Sequence, residues 1–264
     1  MARNSRRQPH RDPQQELTDL ALDLDLTGLA SALPDILARA EKESLTFTEF
    51  SLALLRLESR ARQERGLIRI LKRARLGAVE GLDGFEFSWR PKLDARVVKE
   101  LLTGRFIEEK RNVLCLGKPG TGKTRVIKAI GRAACALGYT VHYVIFAEML
   151  EIIHSSRADR TFLRTFRRFT KPRLLIIDEW AYDHVGMEAT NDLFRLISAR
   201  YRQGSIVLAA NTGFANWTKL FPAEASAVAT VDRLVDDATI LRFTGKSGRQ
   251  AREIVGAPLE DDVS

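Results

Sequence analysis

Cysteine, histidine and long apolar runs are scarce in this sequence. Two cysteines and four histidines in 264 residues are too few for a zinc-finger or disulfide scaffold. Cys115 and Cys135 both lie in apolar stretches. No window approaches the roughly 20 uninterrupted apolar residues of a membrane-spanning helix. The opening Met1-Ala2-Arg3-Asn4-Ser5-Arg6-Arg7 is basic, but no apolar segment follows it. That excludes a secretory signal and makes a cytoplasmic location the expectation. Acidic residues are the minority charge: 34 Asp and Glu against 42 Lys and Arg leave a formal charge of +8. Such a balance favours a polyanionic partner, nucleic acid or anionic lipid. With 45% apolar and 29% charged residues, the composition is globular rather than disordered or fibrous.

Residues 1–15 are polar and rich in Arg, Gln and Pro, and read as a mobile basic tail. Helical apolar spacing follows, predicting a helical N-terminal domain over 16–80 with Leu52, Leu55 and Ser59 on one face. Within it, Arg56, Arg60, Arg62, Arg65, Arg69, Lys72, Arg73 and Arg75 face only Glu58 and Glu64. That run is either a solvated helix face or a phosphate contact. A linker at 81–95 contains Phe85, Phe87 and Trp89, which alternate and are expected to pack on the next domain rather than bind a ligand. Over 96–255 helices and strands alternate. Helices are expected near 93–109, 124–137 and 187–203, and strands near 112–116, 140–146, 174–177, 205–210 and 239–243. This order predicts an α/β domain with a central parallel sheet flanked by helices. An acidic tail, 256–264, ends the chain.

Gly117-Lys118-Pro119-Gly120-Thr121-Gly122-Lys123-Thr124 is a complete phosphate-binding loop between an expected strand and an expected helix. Its glycines let backbone N–H groups turn onto phosphate oxygens, and the helix start adds a positive dipole end. Lys123 should reach the β- and γ-phosphates of ATP, and the Thr124 hydroxyl should ligate Mg²⁺. Downstream, Leu174-Leu175-Ile176-Ile177 runs into Asp178-Glu179, an apolar strand ending in two carboxylates. Asp178 suits the metal and its water shell, and Glu179 suits polarisation of the attacking water. Asn211 ends the next strand, where parallel sheets hold ligands, and is a candidate to orient that water. Arg233 and Arg249 read as surface charges unless they supply the further positive charge that phosphoryl transfer needs.

The order of these motifs, with Asp232-Arg233-Leu234 and a late arginine, resembles AAA+ ATPases of the initiator and helicase-loader clade. Several further stretches are similar to the IstB family of transposition helper ATPases, relatives of the DnaC helicase loader. These are Phe85-Glu86-Phe87 before Pro91-Lys92-Leu93-Asp94, then Arg105-Phe106-Ile107, Asn112-Val113-Leu114, and Ser198-Ala199-Arg200-Tyr201 ahead of Gly204-Ser205. The similarity covers roughly residues 40–250. It implies an AAA+ fold, with Gly117 to Thr124 as Walker A, Asp178 and Glu179 as Walker B, and Asn211 as sensor 1. It further implies Arg233 as an arginine finger acting in a neighbouring subunit, and Arg249 as sensor 2. Two departures stand out: many relatives carry two aspartates at 178–179, and a Ser-Tyr-Arg triplet where this chain has Ser247-Gly248-Arg249.

Arg157, Arg160, Arg164, Arg167, Arg168, Lys171 and Arg173 face a single acid, Asp159. Arg157, Arg160, Arg164 and Arg168 have the spacing of one helical stripe, with Phe162, Phe166 and Phe169 on the opposing side. This is either a solvated surface helix or a nucleic-acid contact, and the family resemblance implies a helical insertion that tracks a nucleic-acid backbone. No base-reading signature is visible, so binding to duplex DNA is expected to be phosphate-dominated and weakly sequence-specific. The expected function is an ATP-dependent DNA-binding helper that forms homo-oligomers through Arg233 and recruits a transposase. A replicative helicase loader acting on single-stranded DNA is the alternative, and a nucleotide-binding scaffold without turnover is a third.

Overall fold

The computed structural model describes residues 12–77, 81–180, 185–217, 221–222 and 224–245. The chain divides into two compact units, the first ending at Arg69 and the second beginning at Ile70.

In the first unit α1 (Pro13–Asp23) packs on α2 (Thr27–Glu43), and α3 (Phe47–Arg73) begins. Asp12 caps α1 by accepting from the Gln14 N–H at 3.1 Å, with Pro13 placed where no N–H is needed. No side chain at its own N-cap does this for α2. Glu58 of α3 takes the role instead, accepting from the N–H groups of Gly28 and Leu29 at 3.0 and 3.1 Å. Its other carboxylate oxygen accepts from Arg62 at 3.1 Å and Arg65 at 2.9 Å. A Cβ on Gly28 would lie 2.3 Å from that of Ala61, so the two helices touch through small residues. The inward face of α3 therefore carries Glu58 beside Ala61. The expected row Leu52, Leu55 and Ser59 points outward instead, Leu55 being 68% exposed.

In the second unit β1 (Val113–Gly117), β2 (Val141–Ile145), β3 (Leu174–Trp180), β4 (Ser205–Ala210) and β5 (Thr239–Phe243) form one parallel sheet. Their order is β2-β3-β4-β1-β5. Helices cover the sheet, which is why residues 174–177 and all of β4 are apolar or small and buried. The helices are α4 (Ala95–Leu101), α5 (Arg105–Glu108), α6 (Lys123–Ala136), α7 (Phe146–Ala158), α8 (Phe162–Thr170), α9 (Met187–Arg200), α10 (Phe214–Trp217) and α11 (Glu224–Val235). Phe146, Phe169, Trp180 and Trp217 anchor the core between sheet and helices. The helix expected over 93–109 is two, α4 and α5, because Gly104 takes φ +78° between them.

A second break matters more. The expected arginine stripe does not lie on one helix, because α7 ends at Ala158 and α8 starts at Phe162. Asp159 makes the break: its carboxylate accepts from the Thr161 N–H at 3.0 Å and hydroxyl at 2.6 Å, a local turn that competes with the helix. Arg160 occupies the turn at φ +60°. Arg157 stays behind on α7, paired with the buried Asp192 of α9 and with Glu188 at 3.2 Å. Phe162, Phe166 and Phe169 do face the core as expected.

The far end of α8 is held by Arg200, which is 1% exposed. Its guanidinium donates to the carbonyls of Phe169, Pro172 and Ser205 at 2.8, 2.9 and 2.7 Å. Burial pushes its pKa down to about 10, which leaves it charged at neutral pH. Arg157 thus ties α9 to α7, its guanidinium also 4.5 Å from the centre of the Phe162 ring that opens α8, and Arg200 ties α9 to the far end of α8. Replacing Arg200 by Met leaves buried carbonyls unmatched and should lower unfolding stability by about 3 kcal/mol in denaturant titrations. Arg157→Ala strands the buried Asp192 and should lower Tm by several degrees, with Asp192→Asn in the same chain recovering part of the loss.

Candidate nucleotide site and basic helix

The C-terminal edge of the sheet gathers most of the expected site. Gly117 ends β1 where a Cβ would meet the Phe243 carbonyl oxygen at 2.1 Å, so only glycine lets the loop start this close to β5. Gly122 sits at φ +93° and a Cβ there would meet the Phe85 ring at 2.8 Å. The loop is tied down through its carbonyls. Lys123, 7% exposed, donates from Nζ to Gly117 O at 2.6 Å and Lys118 O at 2.9 Å, and the Thr121 hydroxyl donates to Lys118 O at 2.7 Å. Burial pulls the Lys123 pKa down, opposed by the Asp178 carboxylate.

The carboxylates are aimed by an irregularity in β3. Ile177 pairs with Leu208 but Trp180 with Ala210, so β3 carries one extra residue there, a β-bulge. Glu179 takes φ +56°, an uncommon conformation for a non-glycine residue that recurs at functional sites. It leaves Asp178 buried and Glu179 exposed. Both Asp178 oxygens are engaged: one accepts from the Glu179 N–H at 2.9 Å, the other from the Tyr143 hydroxyl at 2.9 Å. Burial first, then the adjacent Asp178, pushes the Tyr143 pKa up, so the hydroxyl remains a donor.

Lys123, Thr124, Asp178, Glu179 and Asn211 line one cavity of about 810 Å³, with Pro119, Gly120 and Gly122 of the loop. Gly117, Lys118, Thr121 and again Asn211 line an adjoining cavity of about 500 Å³. Among the described residues no cluster of three His, Cys, Asp or Glu could hold a metal. The Thr124 hydroxyl and the Asp178 carboxylate are nonetheless hard oxygen donors on one cavity wall, and they fit Mg²⁺, which keeps several waters.

Several residues of that cavity were not expected there, three of them with side chains that matter to it. Phe85, Trp89 and Arg90 belong to the segment before Pro91, whose aromatics were expected to be packing residues. Phe85 is buried, but both rings border the nucleotide-sized space. Tyr143, which bonds Asp178 from the neighbouring strand, is also unforeseen. In sequence it is only an aromatic in a strand, and its hydroxyl meets Asp178 solely because β2 lies beside β3.

Arg233 is elsewhere. The Asn112 amide donates to the carbonyls of Arg233 and Leu234 at 3.4 and 3.1 Å and accepts from the Ile206 N–H at 2.9 Å. Asn112 precedes β1 and Ile206 is near the start of β4, so Arg233 sits at the sheet edge opposite the loop. There it lines a separate cavity of about 350 Å³, its guanidinium 5.0 Å from the Phe194 ring centre. Arg249 lies outside the described residues. Arg160, Arg164, Arg167, Arg168 and Lys171 are exposed and line a cavity of about 1050 Å³ along α8. None of these five has a carboxylate partner among the described residues.

No helix among the described residues is long and apolar enough to cross a membrane. The family model of the IstB-like ATP binding protein matches residues 19–254. A Pseudomonas aeruginosa protein of insertion sequence IS21, named for ATP binding, is 34% identical over 89% of this chain and 88% of its own length. A counterpart from insertion sequence IS5376 of Geobacillus stearothermophilus is 32% identical over 80% of this chain and 84% of its own length. Among solved structures, AMPPCP-bound DnaA from Aquifex aeolicus superposes with a TM-score of 0.55 at 19% identity. That match covers 70% of this chain and 57% of the DnaA chain. DnaI superposes with a TM-score of 0.51 at 16% identity, over 57% of this chain and 86% of its own. The solved structures share the fold, a parallel sheet flanked by helices. The family match spans both units, and the chain belongs to the IstB-like ATP-binding protein family.

Proposed function

We propose that this chain binds and hydrolyses ATP, assembles as several copies on duplex DNA, and recruits the transposase of its insertion sequence. The observation that carries the reading is the convergence of Lys123, Thr124, Asp178, Glu179 and Asn211 on one cavity wall. ATP phosphates would lie against the loop amides and Lys123, whose ammonium is already desolvated and so acts strongly on the γ-phosphate. Thr124 and Asp178 would hold Mg²⁺, which when bound neutralises charge on the phosphate oxygens. Glu179, exposed on the bulge, would take the proton of the attacking water, with Asn211 orienting that water. Tyr143 keeps Asp178 in one rotamer.

Arg233 is too far round the sheet to act on its own subunit's cavity, which supports a role on a neighbour's nucleotide. Arg249 is proposed, from its place after β5, as a contact to nucleotide in its own subunit. The five exposed cations on and beside α8 support phosphate contact. Arg157, paired with Asp192 and Glu188, instead anchors α7 to α9. Relatives at 32% and 34% identity come from insertion sequences, which favours a transposase over a helicase as partner. Pull-down with each separates the two.

Glu179→Gln should hold ATP affinity within a few-fold while turnover drops by ~10²-fold or more, read as phosphate release against nucleotide titration. Mixing Glu179→Gln with Arg233→Ala should recover activity above either alone. No recovery at any ratio would remove the shared site.

Arg160→Ala with Arg164→Ala should weaken binding to every duplex alike. It should also flatten the plot of log affinity against log salt by about 0.9 per lost phosphate contact. An unchanged slope would return α8 to an ordinary solvated surface.

A further inference from the structure

Arg90 is 5% exposed and has no carboxylate partner among the described residues. Its Nε donates to the Thr121 carbonyl at 2.6 Å and a terminal nitrogen donates to the Glu86 carbonyl at 3.2 Å. The guanidinium lies 5.0 Å from the Phe85 ring centre and 5.8 Å from that of Trp89. Burial lowers its pKa, yet an arginine stays charged in such a setting. A buried cation held only by carbonyls and rings is costly unless an anion comes near. The cavity it lines is the one that contains Lys123 and Gly122.

The bond to Thr121 has a second consequence. The Thr121 carbonyl and the Gly122 N–H belong to one peptide unit, and no peptide among the described residues is cis. In a trans peptide the two point in opposite directions. Fixing the carbonyl on Arg90 therefore fixes the direction of the Gly122 N–H. Polarising the carbonyl also makes that N–H a stronger donor. The segment carrying Arg90 is itself wedged in place. Phe85 lies against Gly122, and a Cβ on Gly245, just after β5, would meet the Trp89 carbonyl oxygen at 2.0 Å.

We propose that Arg90 is a nucleotide-sensing positioning residue, which orients the Thr121–Gly122 peptide for phosphate and whose buried charge the phosphates balance. Nucleotide occupancy is thereby transmitted from the loop to the Phe85–Trp89 segment. This rests on the ATP-binding reading above, so the test separates the two.

The full-length protein is compared with Arg90→Met, which keeps the stem between the rings and removes the charge. Titration with ATP and with a fluorescent ATP analogue gives affinity, and thermal unfolding with and without ATP gives stability. We expect ATP affinity to fall about tenfold, the scale of one charge-assisted hydrogen bond. The Tm without nucleotide should stay level or rise, because an uncompensated buried charge has gone, while the rise that ATP brings shrinks. Arg90→Lys, keeping a charge and one donor nitrogen, should lose less than Arg90→Met. Wild-type affinity in Arg90→Met, or a lower Tm without nucleotide and an unchanged rise with ATP, overturns the proposal. Arg90→Gln takes the place of Arg90→Met if the latter does not fold, with the same two readings. Lys123→Ala is the control: wild-type ATP affinity there would defeat the nucleotide reading itself, whatever Arg90 does.

Discussion

A loop that offers its N–H groups to an anion gives up the hydrogen bonds those groups would otherwise make. Its conformation must then be held through its carbonyls. In this protein the handles are three side chains: Lys123 on Gly117 and Lys118, Thr121 on Lys118, and Arg90 on Thr121. Steric closure does the rest, with β5 pressed on Gly117 and Phe85 pressed on Gly122. The surrounding architecture follows from that need. β5 and the segment before Pro91 have to lie on either side of the loop, and the parallel sheet has to present the ends of β1, β3 and β4 together.

The same solution recurs away from the loop. Arg200 is buried with carbonyl acceptors and, among the described residues, no carboxylate, much as Arg90 is. Carbonyls are only partial charges, so they orient a guanidinium without neutralising it. The two cases differ in what lies next to them. Arg200 is enclosed by helix-end and strand carbonyls and fastens α8 to β4. Arg90 borders an open cavity, and so its unbalanced charge is available to a ligand. Asp192 is the converse: a buried carboxylate, matched by Arg157, whose pairing neutralises the charge of that arginine.

What could be read from the sequence was what depends on neighbours along the chain. β4 and β5 fall at their expected residues, and the phosphate loop sits between strand and helix because its glycines, lysine and threonine form one local motif. The apolar run into Asp178-Glu179 identified β3, but not the bulge that sends the two carboxylates to different environments, since a bulge depends on register with β4. The arginine stripe was misjudged for a local reason that was visible in principle. Asp159 two residues before Thr161 is a turn former, and it divides a spacing that otherwise suits one helix. Arg157, Tyr143 and Arg90 had no local signal at all. Their partners lie 35, 35 and 31 positions away, and only the packing of β2, α9 and the loop brings them together.

The position of Arg233 constrains any assembly this chain makes. The phosphate loop and the two carboxylates occupy one edge of the sheet, and Arg233 with Asn112 the other. A finger reaching a neighbour's nucleotide from the opposite edge joins unlike surfaces, so the interface is heterologous, and it repeats head to tail into rings or open helical arcs. In such an assembly each added copy would both complete a site and expose a new incomplete one. The basic face of α8 repeats with it, which suits a backbone that offers phosphates at regular intervals better than any single base sequence. On the proposed reading, growth along DNA and completion of nucleotide sites would be one process. Helix α9, which follows β3 in the chain, pairs with α7 through Asp192 and holds the far end of α8 through Arg200, so it fixes the segment that carries the exposed arginines.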